Sequence, residues 1–193
     1  MNKKVIIIEG MDRVGKDSLI SNLSNKFNSS VVLHSGIPKT DKDLFSFYYD
    51  GVIHDTLDYF YDNKTDAIFH NRSMYGEYVY GPKYRNESPK EVLKVIDNLE
   101  IGQLKTFILE RDLYLILLNC TDLSILKNNE DGNSLSSSLE DLKYELDAFN
   151  FVFDHSKIKN KLKVSVNINN IYRDKNDIAK EVINFINSSS NGI

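Results

Sequence analysis

The sequence has few of the features that define several other classes of protein. It contains one cysteine, Cys120, and no tryptophan. One cysteine cannot form an intramolecular disulfide bond and is too few for a cysteine-rich zinc site. Because Cys120 ends an apolar run, we expect a buried thiol that acts as a small apolar side chain.

Long apolar runs and an excess of positive charge are also missing. No apolar stretch reaches the length of a membrane span, and the N-terminus passes into a predicted strand without an apolar signal region. We therefore expect a cytoplasmic protein without a membrane partner. The net charge is −4, and nucleic-acid-binding surfaces depend on many Lys and Arg contacts to phosphate. We expect no nucleic-acid partner.

The chain reads as one domain, 1–193, because its length suits a single α/β unit and no linker or repeat interrupts it. Short β-branched runs alternate with segments of helical periodicity, which is typical of a parallel sheet with crossover helices. The predicted strands are 4–9, 30–34, 65–70, 112–119 and 162–168. The predicted helices are 15–28, 41–62, one that begins at Ser88, 137–156 and 174–187. This order predicts a three-layer α/β/α fold around a five-stranded parallel sheet.

The strongest motif follows the first predicted strand. Gly10 and Gly15 are separated by four residues and Lys16 comes next, which fits the spacing G-x-x-x-x-G-K of a phosphate-binding loop. Backbone N–H groups of such a loop surround phosphate oxygens, and the lysine reaches the β- and γ-phosphates of a nucleotide. The residues that we expect to bind the phosphates are Gly10, Met11, Asp12, Arg13, Val14, Gly15, Lys16, Asp17 and Ser18.

A second cation stands at the end of the third predicted strand. Arg72 follows Asn71 there, at the edge where open α/β sheets bind ligands. A guanidinium group at this place suits an acceptor phosphate, because it can donate two parallel hydrogen bonds. The alternative is a surface ion pair without a function.

These patches together resemble the thymidylate kinases, a family of P-loop NTPases. Residues 9–16, Glu-Gly-Met-Asp-Arg-Val-Gly-Lys, are similar to the family's loop E-G-x-D-[GR]-x-G-K. Asn71-Arg72 lies where the family has an Asp-Arg pair, and residues 76–85 are similar to virus-encoded members, which suggests a phage enzyme. Residues 130–134 resemble part of the family's lid, which we place at about 122–138.

The resemblance implies a kinase that transfers the γ-phosphate of ATP, with Mg²⁺, to a deoxynucleoside monophosphate. Thymidine monophosphate is the acceptor that the resemblance favours, although a modified deoxypyrimidine monophosphate is an alternative. Arg13 would act as an internal arginine finger against the transferring group, and Asp12 would contact the acceptor sugar. Relatives suggest a homodimer.

Two departures from the family pattern occur together. Asp17 stands where a hydroxyl residue normally binds Mg²⁺, and the hydroxyl arrives one residue later, as Ser18. Asn71 replaces the carboxylate before Arg72. One hypothesis is that the carboxylate assisting Mg²⁺ has moved into the loop; the alternative is that Asp17 only favours the helix N-terminus. We expect Asp17 and Ser18 to be the metal ligands.

The remaining site residues also follow from the resemblance. Related lids often carry an arginine where Asn129 stands here. Lys127 is the nearest cation in this chain, and we expect it to bind ATP. Further residues expected to contact the acceptor are Glu9, Lys39, Phe45, Asn71, Tyr80 and Arg85, with Tyr48, Tyr75 and Tyr78 as other candidates for stacking on the base.

Two other functions fit the same motifs. A deoxynucleoside kinase shares the phosphate loop and the strand-end arginine but needs a general base beside a sugar hydroxyl, a role for which Glu9 is the candidate. A nucleotide-binding protein without catalysis would explain the altered Asp17 and Asn71. Deoxynucleoside kinases usually have a carboxylate beside the arginine, so Asn71 argues against the first alternative. The presence of Lys16, Arg13 and Arg72 argues against the second.

Overall fold

A five-stranded parallel sheet forms the centre of the fold. The computed structural model describes residues 3–38, 43–128, 136, 138–168 and 170–190. The strands are β1 Lys4–Glu9, β2 Ser30–His34, β3 Ala67–Asn71, β4 Leu113–Asn119 and β5 Asn160–Ser165. Their order in the sheet is β2-β3-β1-β4-β5, and all neighbours are parallel. The predicted five-stranded parallel sheet is confirmed, and β1 and β2 have their predicted bounds.

The central strands are buried on both sides. Val5, Ile6, Ile7 and Ile8 of β1 have no solvent-exposed surface, and every residue of β3 is buried. Burial on both sides is typical of parallel sheets, whose crossover helices cover both faces. The edge strand β2 alternates instead between half-buried and exposed residues.

Helices cover the two faces. They are α1 Lys16–Ser24, α2 Leu44–Tyr48, α3 Asp55–Tyr61, α4 Met74–Tyr84, α5 Pro89–Leu99, α6 Lys105–Phe107, α7 Leu123–Asn128, α8 Leu139–His155 and α9 Lys175–Ser190. Helices α1 and α9 pack against each other, and α4 packs against α5 and α8. The predicted three-layer arrangement is confirmed.

Several predicted elements differ in extent. The predicted helix 15–28 ends at Ser24, and the predicted helix 174–187 continues to Ser190. The predicted helix 41–62 is divided, because a π-helical turn over Tyr49–His54 separates α2 from α3, and its residues 41 and 42 lie outside the described part. The predicted strand 162–168 is wrong beyond Ser165. Residues Asn167–Ile168 form β6, which pairs with β7, Ile171–Tyr172, in an antiparallel hairpin.

Helix α4 is absent from the predictions because glycines and a proline obscure its pattern. It contains Gly76, Gly81 and Pro82, all of which disfavour a helix interior. Packing explains Gly81, since a Cβ there would lie 2.2 Å from Glu87 Oε2 and 2.5 Å from Glu77 Oε1. The short helix α7 also falls in a segment predicted as part of the lid.

We predict that stability depends on the central strand more than on the edge strand, and the same substitution tests both. Val5 of β1 is 0% exposed, and Val32 of β2 is 36% exposed. Val5→Ala is expected to lower the free energy of unfolding by about 2 to 3 kcal/mol, from lost burial and a residual cavity. Val32→Ala should cost under about 1 kcal/mol. Urea unfolding measures both, and equal losses would contradict the assignment of β1 to the core.

Candidate active site

The loop after β1 has the backbone conformation of an anion-binding loop. Gly10, Arg13 and Gly15 have positive φ values of 145°, 67° and 91°. A Cβ on Gly10 would lie 2.7 Å from the carbonyl oxygen of Leu118 on the neighbouring β4, so both the dihedral angle and the packing require glycine. Gly15 directly precedes α1, whose N-terminal N–H groups then face the loop.

Lys16 is buried within this loop. Its side chain is 6% exposed, and Nζ donates hydrogen bonds to the carbonyl oxygens of Gly10, at 2.7 Å, and Met11, at 2.6 Å. Burial and, to a smaller extent, the positive charge of Arg72 lower the pKa of Lys16 to about 8, while nearby carboxylates oppose the shift. The ammonium group is therefore held where nucleotide phosphates would give it a stronger partner than carbonyl oxygens.

A cavity of about 550 Å³ opens beside the loop. It unites the phosphate loop with the ends of β2 and β3, because the carboxyl ends of parallel strands share one edge of the sheet. Its lining residues are Asp12, Arg13, Gly15, Lys16, Asp17, Ser18, His34, Ser35, Asn71 and Arg72. His34 and Ser35 are not among the predicted site residues, although their position at the end of a predicted strand was a usable signal.

Arg72 is fixed at the end of β3. Its φ is 69°, its backbone N–H donates to the carbonyl oxygen of Ile8 at 3.1 Å, and its guanidinium group forms an ion pair with Asp12. About 45% of the side chain remains exposed. The structure therefore brings together two residues predicted for acceptor binding that are sixty positions apart in the chain.

The two departures from the thymidylate kinase pattern meet in space. The side-chain amide of Asn71 donates a hydrogen bond to Asp17 Oδ1, and both residues line the 550 Å³ cavity. Ser18 lines it as well. Carboxylate and hydroxyl oxygens are ligands that Mg²⁺ accepts. The described residues contain no group of three or more His, Cys, Asp or Glu that would hold a metal ion.

Arg13 connects the loop to the polypeptide that follows β4. Nη1 donates to the carbonyl oxygen of Leu126 in α7 at 2.6 Å, and Nη2 donates to that of Ser136 at 3.1 Å. Arg13 also lines the 550 Å³ cavity. Ser136 lies within the segment predicted as the lid, of which residues 129–135 and 137 are outside the described part.

A second cavity, of about 250 Å³, lies on the other side of Arg72. Its polar wall is one network, in which Glu77 accepts hydrogen bonds from the hydroxyl of Tyr48 and from the guanidinium group of Arg85. The buried hydroxyl of Tyr80 has no hydrogen-bond partner among the described residues. The lining residues are Ser35, Gly36, Ile37, Pro38, Tyr48, Arg72, Ser73, Gly76, Glu77, Tyr80 and Arg85. Of these, Glu77 is a residue that the sequence predictions missed.

Glu9 is buried behind this second cavity and lines neither it nor the first. Its Oε1 accepts a hydrogen bond from the hydroxyl of Ser73 at 2.7 Å, while Oε2 has no partner among the described residues. Burial raises the pKa of Glu9 to about 7, although the hydrogen bond from Ser73 and the charge of Lys16 oppose the shift.

A third cavity, of about 220 Å³, lies beside the loop and α1 on the side of the β6–β7 hairpin. It is largely apolar, and the hydroxyl of Tyr172 in β7 donates to the backbone carbonyl of Arg13 at 3.3 Å. Its lining residues are Arg13, Val14, Gly15, Ser18, Leu19, Leu118, Val166, Tyr172, Arg173, Lys175 and Ile178. The hairpin residues are absent from the sequence predictions, because their contacts with the loop span about 160 positions of chain.

Several candidate residues lie away from these cavities. Phe45 stacks on Tyr49, with ring centroids 5.9 Å apart. Tyr75 is buried in the core, where its hydroxyl donates to Glu100 at 2.8 Å, and Tyr78 stacks on Phe151. Lys127 is exposed on α7. Lys39 lies outside the described residues.

None of the helices in the described ranges combines the length and the apolar character needed to cross a membrane. No protein-family model and no curated protein sequence matches the chain.

Solved structures of similar fold are numerous. They include YorR from Bacillus subtilis, crystallised with phosphorylated GDP, at 16% identity and a TM-score of 0.66, with 98% of this chain and 99% of that one covered. Thymidylate kinase from Candida albicans matches at 15% identity and a TM-score of 0.67, over 98% and 93% of the two chains. Polyphosphate kinase 2 from Arthrobacter aurescens TC1 matches at 11% and 0.62, over 98% and 68%. The chain therefore has the three-layer fold that thymidylate kinases and related P-loop kinases share.

Proposed function

We propose that the chain is a phosphotransferase that moves the γ-phosphoryl group of ATP to a deoxynucleoside 5′-monophosphate, with thymidine monophosphate as the acceptor. One observation carries the proposal. Arg72 lines both the phosphate-loop cavity and the 250 Å³ cavity beyond it. A cation between a donor phosphate site and a nucleoside-sized cavity suits an acceptor that brings its own phosphate.

The donor side follows from the loop. Lys16 exchanges its two carbonyl partners for the β- and γ-phosphate oxygens, and the α1 N-terminus adds its N–H groups. The apolar 220 Å³ cavity suits the donor base. Arg13 lies between that cavity and the phosphates, where its guanidinium group stabilises charge on the transferring group.

On the acceptor side, Arg72 holds the monophosphate, and Asp12, its ion-pair partner, contacts the sugar. Tyr48, Glu77 and Arg85 present donors and acceptors to the base. Such an arrangement works mainly by positioning, which suits phosphoryl transfer because that reaction asks little covalent chemistry of the protein. Asp17 and Ser18, which line the same cavity, would hold Mg²⁺, and the ion would supply positive charge beside the phosphates.

A deoxynucleoside kinase is the second candidate, and Glu9 is the observation in its favour. A carboxyl group with a pKa of about 7 suits a general base. However, Glu9 is bonded to Ser73 and lines neither cavity, so it does not reach an acceptor hydroxyl without a rearrangement. The non-catalytic alternative explains Asp17 and Asn71 but gives no role to Arg72.

The position of Arg72 predicts the class of acceptor. In the presence of ATP and Mg²⁺, ADP release is expected with thymidine monophosphate and not with thymidine. The reason is that Arg72 binds the acceptor through its phosphate, which thymidine lacks. Lys16→Ala should lower kcat at least about a hundredfold, by removing a charge that stabilises the transition state. A coupled assay over a panel of deoxynucleosides and their monophosphates measures both. Turnover of thymidine alone would support the second candidate, and tight ATP binding without any turnover would support the non-catalytic one.

We predict that the contact between Asp17 and Asn71 sets the Mg²⁺ concentration that activity requires. Asp17→Ser is expected to raise the Mg²⁺ concentration for half-maximal activity about tenfold, because a carboxylate near the ion is lost. Asn71→Asp in the same chain should restore it by returning one negative charge to the contact. Metal titrations of the single and double variants check this. A double variant no better than Asp17→Ser would refute the exchange of roles.

We predict that the affinity for ATP depends on pH. The charged form of Lys16 binds phosphate, and its pKa in the unliganded protein is about 8. ATP affinity should therefore be constant below pH 8 and fall about tenfold per pH unit well above it. Calorimetric titration from pH 6.5 to 9.5 measures this. Lys16→Arg, charged throughout, is the control, and a constant wild-type affinity up to pH 9.5 would contradict the assignment.

A further inference from the structure

Glu145 is a buried carboxyl group to which the proposed mechanism gives no role. It lies in the middle of α8 and is 2% exposed. It forms no ion pair with a lysine or arginine of the described residues, although the charge of Lys83 partly opposes the rise in its pKa that burial causes. It lines none of the cavities described above. Burial of such a group is costly unless it is hydrogen-bonded, so its hydrogen bonds indicate what it is retained for.

Those hydrogen bonds lead to the segment between α7 and α8. The hydroxyl of Ser136 donates to Glu145 Oε1, and the hydroxyl of Tyr84 in α4 donates to the same oxygen at 3.3 Å. Tyr84 and Ser136 also contact each other through their hydroxyls. Because Ser136 gives its one hydroxyl hydrogen to Glu145, the hydroxyl of Tyr84 is shared between Ser136 and Glu145, and the three side chains form one network.

Ser136 in turn holds Arg13. Its backbone carbonyl accepts from Arg13 Nη2 at 3.1 Å, while Leu126 in α7 supplies the carbonyl for Nη1 at 2.6 Å. Among the described residues, two carbonyls therefore hold the guanidinium group, and one of them belongs to Ser136, whose hydroxyl is bonded to Glu145. Arg13 lines the phosphate cavity from this position.

We propose that Glu145 is a positioning residue, which orients the guanidinium group of Arg13 toward the nucleotide phosphates through Ser136. The inference rests on the proposed function for the role of Arg13. Glu145 touches no substrate; it acts because a guanidinium group misplaced by about 1 Å loses much of its effect on a transition state. Tyr84 extends the network toward the acceptor, since its ring stacks on that of Tyr80, with centroids 6.2 Å apart.

A double-mutant cycle tests this proposal. Glu145→Gln keeps the side-chain volume, and Ser136→Ala removes one hydroxyl. Each is expected to lower kcat about tenfold and to change the acceptor KM less than twofold in the Arg13 protein. In the Arg13→Ala background neither should lower kcat further. Glu140→Gln, at an exposed position of the same helix, is the matched control and should change nothing.

Equal losses of kcat with and without Arg13 would overturn the proposal, because they would show a structural effect independent of the arginine. If no monophosphate is turned over, the proposal is tested by binding alone. Calorimetry without an acceptor then gives the ratio of the affinities for ATP and ADP. Arg13→Ala should reduce this ratio, and Glu145→Gln should reduce it with no added effect in the double variant. An unchanged ratio in Glu145→Gln would also overturn the proposal. Thermal unfolding of each variant verifies that it is folded.

Discussion

The ammonium group of Lys16 is held away from water at the carboxyl edge of the sheet, and the charges around it follow from that burial. Transfer of a cation out of water is costly unless hydrogen bonds and opposite charges compensate it. Two loop carbonyls accept from Nζ, and the carboxylates of Glu9, Asp12 and Asp17 act on it from nearby. Arg72 opposes them, so the loop carries two cations close together. An anion with several oxygens would relieve both, and the phosphates of the proposed nucleotide substrates are such anions.

The register of the sheet decides which of these groups meet. Ile8 of β1 lies beside Asn71 of β3, and His34 of β2 lies beside the same asparagine. Residues at or just beyond the carboxyl ends of these three strands therefore line the same 550 Å³ cavity. Asn71 reaches Asp17 and Arg72 reaches Asp12 because the strands end level with each other. A slip of one residue would turn the strand side chains to the opposite faces and separate both pairs.

Local patterns made part of this site predictable. A glycine-rich loop between an apolar strand and a helix has a motif of its own, and Arg72 could be placed because strand ends converge in a parallel sheet. The partners of Arg13 could not, since Leu126 and Ser136 lie more than a hundred positions along the chain and meet it only through folding. Helix α4 was missed for a related reason. Its glycines are explained by side chains that pack against them, such as Glu77 and Glu87 at Gly81, and not by the local sequence.

The two arginines of the proposed mechanism share an uncommon backbone. Arg13 and Arg72 have φ values of 67° and 69°, in the left-handed region that costs a residue with a Cβ about 1 to 2 kcal/mol. Such conformations persist where the surroundings fix them. Here the Arg72 N–H is bonded to Ile8, and the carbonyl of Arg13 accepts from Tyr172. Glycine would adopt either conformation without strain, yet it would carry no guanidinium group. Retention of arginine at both places supports the view that the strain is tolerated for the charge, which each backbone directs into the same cavity.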